Sequence, residues 1–437
     1  MKRCLAIDIG ASGGRHIIGY KDRGRIVTEE LYRFPNGMDR VDGHLVWDVE
    51  RLLSEVKRGI GVALCKYPDI CSVSIDTWGV DYVLMRGDEA VMPVYAYRDD
   101  RVDRVIDEVH SIIPFEELYS RTGIQFNKFN TVYQLYADKL SGRLEGVTDF
   151  LMIPEYLMYR LTGVKRKEYT NATTTSLVNA DTGEYDPCIF DRLGLARELI
   201  TPVYKPGEAV GHLLPEVAAE VGGDLSVVLC ATHDTGSAVE AIEMDTRSPY
   251  ISSGTWSLLG VKTERAITDA ASRDSGYSNE GGVGYNRYQK NITGMWIIQS
   301  LRRELCPDAP YGEIAKMAEA SGFCRVFDVN HESFMAPESM RDAIRAYLAE
   351  RGEEVPESAS DLFSSAYHSL AKGYRDAIAD LERNTGREYP EIYIVGGGAR
   401  NAYLNALTEK YTGKRVVALP IEATAIGNLK IQLERGE

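Results

Sequence analysis

One pattern occurs twice in this chain and limits what it can fold into: an apolar strand runs into a glycine turn and returns as a second strand. Ile7-Asp-Ile-Gly10 lies over Ile251-Ser-Ser-Gly254, and an apolar strand follows each. The first copy reads as a buried strand over residues 4–9, a turn over 10–14, a returning strand over 16–20 and a third over 25–33. The second reads as Tyr250-Ile-Ser-Ser-Gly-Thr-Trp-Ser-Leu-Leu-Gly260. Such a repeat points to an internal duplication with one copy per domain, and 437 residues are enough for two cores. The boundary is expected over 241–246, giving domains 1–243 and 244–437.

Between the copies, Val227-Val-Leu-Cys-Ala-Thr-His-Asp-Thr-Gly-Ser-Ala-Val239 reads as a buried strand that stops in a polar cluster and then opens a helix. In open α/β sheets ligands collect beyond the carboxyl ends of strands, so His233, Asp234 and Thr235 stand where a reacting group would be held. An Asp or Thr there also suits a plain helix N-cap, and the turn alone leaves both readings open. A strand over 72–76 likewise ends in Asp76-Thr-Trp-Gly-Val-Asp81. Gly79 either lets a ligand lie against the backbone or serves a hairpin turn to a strand over 82–85.

The first glycine turn can aim the backbone N–H groups of Gly10, Ser12, Gly13 and Gly14 at one anion, with Arg15 beside them. Asp8 at its mouth can hold a hydrated magnesium ion. A tight turn with nothing bound is the other reading. No Gly-Lys-Ser or Gly-Lys-Thr opens a helix here, so this is not a P-loop. Near the C-terminus, Glu391-Ile-Tyr-Ile-Val-Gly-Gly-Gly-Ala-Arg-Asn401 reads as strand, glycines and helix. It is not a dinucleotide fingerprint, because position 401 is Asn where a glycine is required.

Several helices are marked by spacing. Asp48 caps one with Val49, Leu52, Leu53, Val56 and Ile60 on its apolar face. Residues 98–140 are helical with breaks at Pro114 and Gly123, and 151–163 form a short amphipathic helix bounded by Pro154 and Gly163. Residues 170–175 are a hydroxyl-rich loop or strand edge. Gly294 precedes a helix to about residue 305, and 360–383 carry a long buried stripe. With 65 acidic against 50 basic residues, the formal charge of -15 speaks against nucleic acid as a partner. Seven cysteines without a CxxC pair imply free thiols in a reducing cytosol. No apolar run is long enough to span a membrane, so a cytoplasmic protein is expected.

Two glycine hairpins, a strand leading through three glycines to a helix, and an Asp-bearing turn closing the first half resemble the superfamily of actin, heat-shock chaperones and sugar kinases. Within it, Pro154-Glu-Tyr-Leu-Met-Tyr-Arg-Leu-Thr-Gly163, Thr170-Asn-Ala-Thr173 and Thr182-Gly-Glu-Tyr-Asp186 are similar to the FGGY family of carbohydrate kinases. Asp8-Ile-Gly-Ala-Ser-Gly-Gly-Arg15, Ile75-Asp-Thr-Trp-Gly-Val-Asp81, Ala96-Tyr-Arg-Asp99, Thr122-Gly-Ile-Gln-Phe126, Thr232-His-Asp-Thr235 and Asn279-Glu-Gly-Gly282 narrow the resemblance to the branch acting on L-rhamnulose.

The resemblance implies an α/β fold of two ribonuclease H-like, actin-like ATPase domains around a central cleft that closes on its substrates. The first domain would bind sugar and the second nucleotide. The implied reaction is ATP-dependent phosphorylation of L-rhamnulose at its 1-hydroxyl, in L-rhamnose catabolism. Asp234 would be the general base, with Gly79, His233, Thr235 and Asn291 holding the sugar. Ala11, Ser12, Gly13, Gly14, Arg15 and Thr255 would cradle phosphates, Gln299 would contact the nucleotide, and Gly396, Gly397 and Gly398 would admit the adenosine. Mg2+ would sit near Asp8. The partners are then a ketose and ATP, not nucleic acid or membrane.

Two departures stand out. Ser12-Gly13 replaces a pair of serines, and relatives continue for several helical turns beyond Glu437. The second would thin the packing behind the nucleotide domain and leave Lys430 on an exposed face. Other readings are a kinase for another ketose, L-fuculose or xylulose, or an actin- or chaperone-like ATPase. The last would leave Asp234 without a purpose.

Overall fold

A computed structural model describes residues 2–244, 248–419 and 422–435. It separates into two compact units, one of Met1–Glu243, Thr263–Arg287 and Glu422–Glu437, the other of Met244–Lys262 and Tyr288–Ile421. Two stretches of the expected second domain, 244–437, therefore belong to the first unit. Positions 245 and 246 of the expected boundary lie outside the described residues.

The first unit is built on β1 (Arg3–Gly10), β2 (Gly13–Asp22), β3 (Arg25–Pro35), β4 (Ile70–Thr77), β5 (Ala209–His212) and β6 (Ser226–Val228), in the sheet order β5-β6-β4-β1-β2-β3. β1, β2 and β3 form an antiparallel meander, while β4 pairs parallel with both β1 and β6. Alternation along β1 sends Leu5, Ile7 and Ile9 to one face, into the cluster that holds Leu52, Leu53, Val56 and Ile60 of α1 (Val49–Lys66). Asp48 caps α1 by accepting from the Arg51 N–H.

The opposite face of β1, with Cys4 and Ala6, is covered by Ala425, Leu429 and Leu433 of the last helix, Ala423–Glu434. The sequence alone places that helix behind the nucleotide domain with Lys430 exposed. Its i, i+4 apolar spacing instead docks it on the first unit. Lys430 Nζ donates to the Glu240 carbonyl at 3.1 Å and to Glu240 Oε1 at 2.7 Å.

Three local expectations change. The segments 70–77 and 82–86 do not form a hairpin: Tyr82–Arg86 pairs with Asp149–Met152 in a separate sheet. The connection turns through Val80 at φ 68°, whose N–H donates to Thr174 Oγ1 at 3.1 Å. The helix α2 (Ile153–Thr162) is not amphipathic, since all its residues except Arg160 are buried, although Pro154 and the left-handed Gly163 bound it as the spacing implies. Residues 169–175 are neither loop nor strand edge but α3 (Tyr169–Ala172) and a 3₁₀ turn, all buried from 170 on. Thr173, Thr174 and Thr175 donate to the carbonyls of Thr170, Asn171 and Ala172, which satisfies the hydroxyls without water.

Continuing along the chain, α4 (Asp234–Glu240) follows β6, and β7 (Tyr250–Ser253) and β8 (Trp256–Thr263) form the second glycine hairpin. β9 (Ser278–Gly281) and β10 (Asn286–Thr293) come next, then α5 (Trp296–Leu305), α6 (Ala359–Thr385), β11 (Glu391–Val395), α7 (Ala402–Thr412), β12 (Arg415–Leu419) and the final α8 (Ala423–Glu434). In the second unit β10, β8, β7, β11 and β12 are consecutive neighbours. This is the order β3-β2-β1-β4-β6 repeated, with β7–β8 antiparallel like β1–β2, and β7–β11 and β11–β12 parallel like β1–β4 and β4–β6, as the duplicated hairpin suggests. α6 buries the stripe read from its spacing, including Leu362, Phe363, Tyr367, Leu370, Tyr374, Ile378 and Leu381. Among the described residues no helix is long and apolar enough to cross a membrane, and the cysteines are free thiols.

Candidate active site

After β6 the chain forms no regular element through Thr232, and His233 bridges in parallel to Thr77 at the end of β4. α4 then starts at Asp234, with His233 as an N-cap that makes no side-chain cap. The plain N-cap reading therefore does not describe Asp234, which is the first helical residue. Its Oδ1 accepts from the Thr235 N–H at 2.5 Å and from Thr235 Oγ1 at 3.1 Å. Oδ2 makes no hydrogen bond among the described residues, and the side chain is 31% exposed, so one carboxylate oxygen faces outward from a fixed backbone.

What fixes that backbone is a residue the spacing does not reveal. Glu168, fully buried, accepts from the Thr232 N–H at 3.0 Å, Thr232 Oγ1 at 2.7 Å, the Thr170 N–H at 2.8 Å and Thr170 Oγ1 at 2.6 Å. Burial pushes its carboxyl up, and these donors hold it down. Thr170 Oγ1 in turn takes the His233 N–H at 3.2 Å. A lone acid between Lys167 and Tyr169 carries no periodic signal, so only the fold exposes its role.

Asp8 and Asp76 are partners across the parallel pair β1–β4, side by side and both buried. Arg15 Nη2 lies 2.5 Å from Asp8 Oδ2, and its other amino group pairs with Glu422. Burial raises the Asp8 carboxyl, Arg15 pulls it down, and the nearby Asp234 charge pushes it up again. Asp76 is held well above the usual carboxylate range, by burial first and then by the charge of Asp8. Asn428 Nδ2 donates to its Oδ2 at 2.5 Å, while Oδ1 is buried with no hydrogen-bond partner among the described residues.

The glycines divide by cause. A Cβ on Gly14 would meet the Phe34 ring at 2.1 Å, and Gly14 lies between two partner strands, so packing accounts for its missing side chain. The tip of that hairpin is Ala11–Ser12, between the paired Gly10 and Gly13, with Ser12 exposed and Ala11 half-buried against the core. A Cβ on Gly79 would sit 3.0 Å from Thr174, so this glycine makes room for a threonine of the same unit.

In the second unit, Thr255 lies at the exposed hairpin tip and its Oγ1 is 3.4 Å from Gln299 Oε1 at the start of α5, which brings together two residues expected at the nucleotide. Gly396 adopts φ 82°, and a Cβ there or on Gly398 would come within 2.8 Å of Ser253 O or 1.9 Å of Ser253 Oγ. Gly397, between them, is exposed with nothing within 4 Å of a Cβ position. Asn401 caps α7 by accepting from the Leu404 N–H. Asn291 belongs to this second unit, where it is exposed on β10.

A carboxylate presented at a strand end, in an α/β unit whose strand order is repeated in a second unit, defines the class. The chain belongs to the FGGY family of carbohydrate kinases: the family's N-terminal domain matches residues 3–239 and its C-terminal domain residues 249–433. It is 43% identical over 438 residues to a rhamnulokinase of Oceanobacillus iheyensis, covering 99% of this chain and 93% of that one. It is 38% identical over 436 residues to a rhamnulokinase of Bacillus subtilis, covering 98% and 89%.

Solved structures agree on the fold. A xylulose kinase from Lactobacillus acidophilus superposes with a TM-score of 0.83 at 15% identity, over 100% of this chain and 89% of that one. A glycerol kinase from Plasmodium falciparum with ADP gives 0.78 at 13%, over 99% and 89%. The protein is a two-domain α/β carbohydrate kinase.

Proposed function

We propose that this kinase transfers the γ-phosphoryl group of ATP to the 1-hydroxyl of L-rhamnulose, giving L-rhamnulose 1-phosphate and ADP. The observation that carries the reading is Asp234. A primary hydroxyl becomes a competent nucleophile only as its proton is accepted, and a carboxylate with Oδ1 committed to Thr235 has Oδ2 left for that proton. His233 and Thr235 hold sugar hydroxyls beside it. Arg15 supplies positive charge toward the phosphates from the hairpin whose tip is Ala11–Ser12. Free thiols fit a reducing cytosol.

The residues at Asp8 fit Mg2+. A magnesium ion keeps most of its waters and takes one or two carboxylates, and Asp8 with its neighbour Asp76, whose Oδ1 lacks a partner, offers that number. Among the described residues no cluster of three or more ligating side chains exists that would hold a dehydrated metal instead. When bound, the ion offsets phosphate charge.

The sugar is tested by coupled ADP release across a ketose panel. L-Rhamnulose should give the highest kcat/KM, ahead of L-fuculose and xylulose. Preference for another ketose would replace the substrate, and ADP release without any sugar would favour a chaperone-like ATPase.

The nucleotide side is tested at Gly397. It has open space and no left-handed φ, so Gly397→Val costs the free fold little. Its side chain should instead occupy the volume the nucleotide needs. Titrations should show ATP binding weakened by about tenfold or more, the equivalent of ~1.4 kcal/mol, with sugar binding unchanged. Unchanged ATP affinity would leave Gly397 without a role at the nucleotide.

A further inference from the structure

His233 is held from behind by two side chains to which the reading above gives no task. Arg287, on β10, is fully buried. Its Nε donates to the Gly281 carbonyl at 2.7 Å, and its Nη2 lies 3.0 Å from Glu280 Oε2 and 3.1 Å from His233 Nδ1. Glu280, on β9, stands 3.1 Å from that same ring nitrogen. The other nitrogen, Nε2, is 3.5 Å from Asp234 Oδ1, longer than a normal hydrogen bond. All four residues belong to the first unit.

A guanidinium only donates. With the Arg287 N–H aimed at Nδ1, that nitrogen accepts, and the single proton of the neutral ring stays on Nε2. Glu280 supplies the counter-charge without which a fully buried guanidinium would be costly.

We propose that Arg287, held in place by Glu280, is a positioning residue that fixes His233 as its Nε2–H tautomer, so that the sugar site sets one N–H donor beside one proton acceptor, Asp234. This rests on the reading of His233 and Asp234 as the sugar site. Asp234 takes the proton of the hydroxyl being phosphorylated. The His233 N–H then pairs with an oxygen on the neighbouring carbon. A 1-hydroxy-2-ketose carries such an oxygen on C2 in both its open and ring forms. A substrate without an oxygen there leaves the N–H unpaired and is rejected, as sites built around a polar contact reject analogues lacking it.

The test uses the full chain with 15N-labelled histidine, the His233 signal being assigned by its loss in His233→Gln. Long-range 1H–15N couplings read directly which ring nitrogen carries the proton. The expected result is Nε2–H in the native protein and loss of that fixed state in Arg287→Lys, which keeps a cation beside Glu280 but gives up the planar fork. In the same variant KM for the ketose should rise about tenfold, the effect of losing one hydrogen bond, with KM for ATP unchanged. If Arg287→Lys does not fold, the double change Glu280→Gln with Arg287→Met removes both buried charges together and is read the same way.

An Nδ1–H tautomer in the native protein, its proton directed to Glu280, overturns the proposal. So does a variant with native tautomer and native KM. If the native tautomer is Nε2–H but added ketose does not move the His233 signal, and His233→Gln leaves the ketose KM intact, the sugar-site reading falls and the specificity claim with it. The assignment of the tautomer to Arg287 would then still stand.

Discussion

Asp234→Asn lowers the sugar-dependent rate by roughly 10² to 10⁴, the range for loss of a positioned general base. The substitution is nearly isosteric. The amide oxygen can still accept from the Thr235 N–H and hydroxyl, so α4 should begin where it does now. What the amide lacks is a site for a proton at neutral pH. The melting temperature and the ATP affinity should therefore stay close to native while kcat falls. Coupled ADP release, a thermal melt and an ATP titration on one preparation check the three parts together. Near-native turnover in a folded variant would remove Asp234 from the mechanism. A variant that unfolds instead would show that the carboxylate serves the N-terminus of α4, which the partly exposed side chain, whose Oδ2 makes no hydrogen bond among the described residues, argues against.

The two hairpins and the stripes of α1 and α6 are legible in the sequence because each is written in local periodicity. Residues brought together by distant segments are not. Tyr82–Arg86 looks like the second arm of a hairpin because its apolar run follows β4 closely, yet its partner, Asp149–Met152, comes much later in the chain. Glu168 is one acid among many until the fold buries it under Thr232. At the site, the residue types of Asp234 and His233 and their place at a strand end point to chemistry. Arg287, which sets the ring from behind, sits in a strand whose sequence is unremarkable. Gly14 and Gly79 have a packing cause that the sequence does not show, since a Cβ on either would meet the Phe34 ring or Thr174.

The largest stability effect should come from Gly427, in the middle of α8. Glycine inside a helix costs about 1 kcal/mol relative to alanine, so local preference favours replacing it. The fold forbids it. A Cβ there would stand 1.8 Å from the Ser237 carbonyl oxygen, 2.7 Å from the Ser237 carbonyl carbon and 3.1 Å from the Ala241 nitrogen, all backbone atoms of α4 or its C-terminal end that cannot turn aside. Gly427→Ala must therefore push α8 off α4. That movement strains the buried ladder in which Gln432 donates to Asn428 Oδ1 at 2.7 Å and Asn428 donates to Asp76. It also disturbs the seat of Leu429 and Leu433 on β1. The expected loss is on the order of 3 kcal/mol, the upper range for overpacking, or a fall in melting temperature of roughly 5 °C for a unit of this size. Since α4 carries Asp234 at its first turn, the sugar-dependent rate should fall with it even below the melting range. Gly397→Ala is the matched control, because nothing lies within 4 Å of its Cβ position and its melt should stay native. If both alanine variants melt with the native protein, the close approach of α8 to α4 is not what holds the base-bearing helix in place.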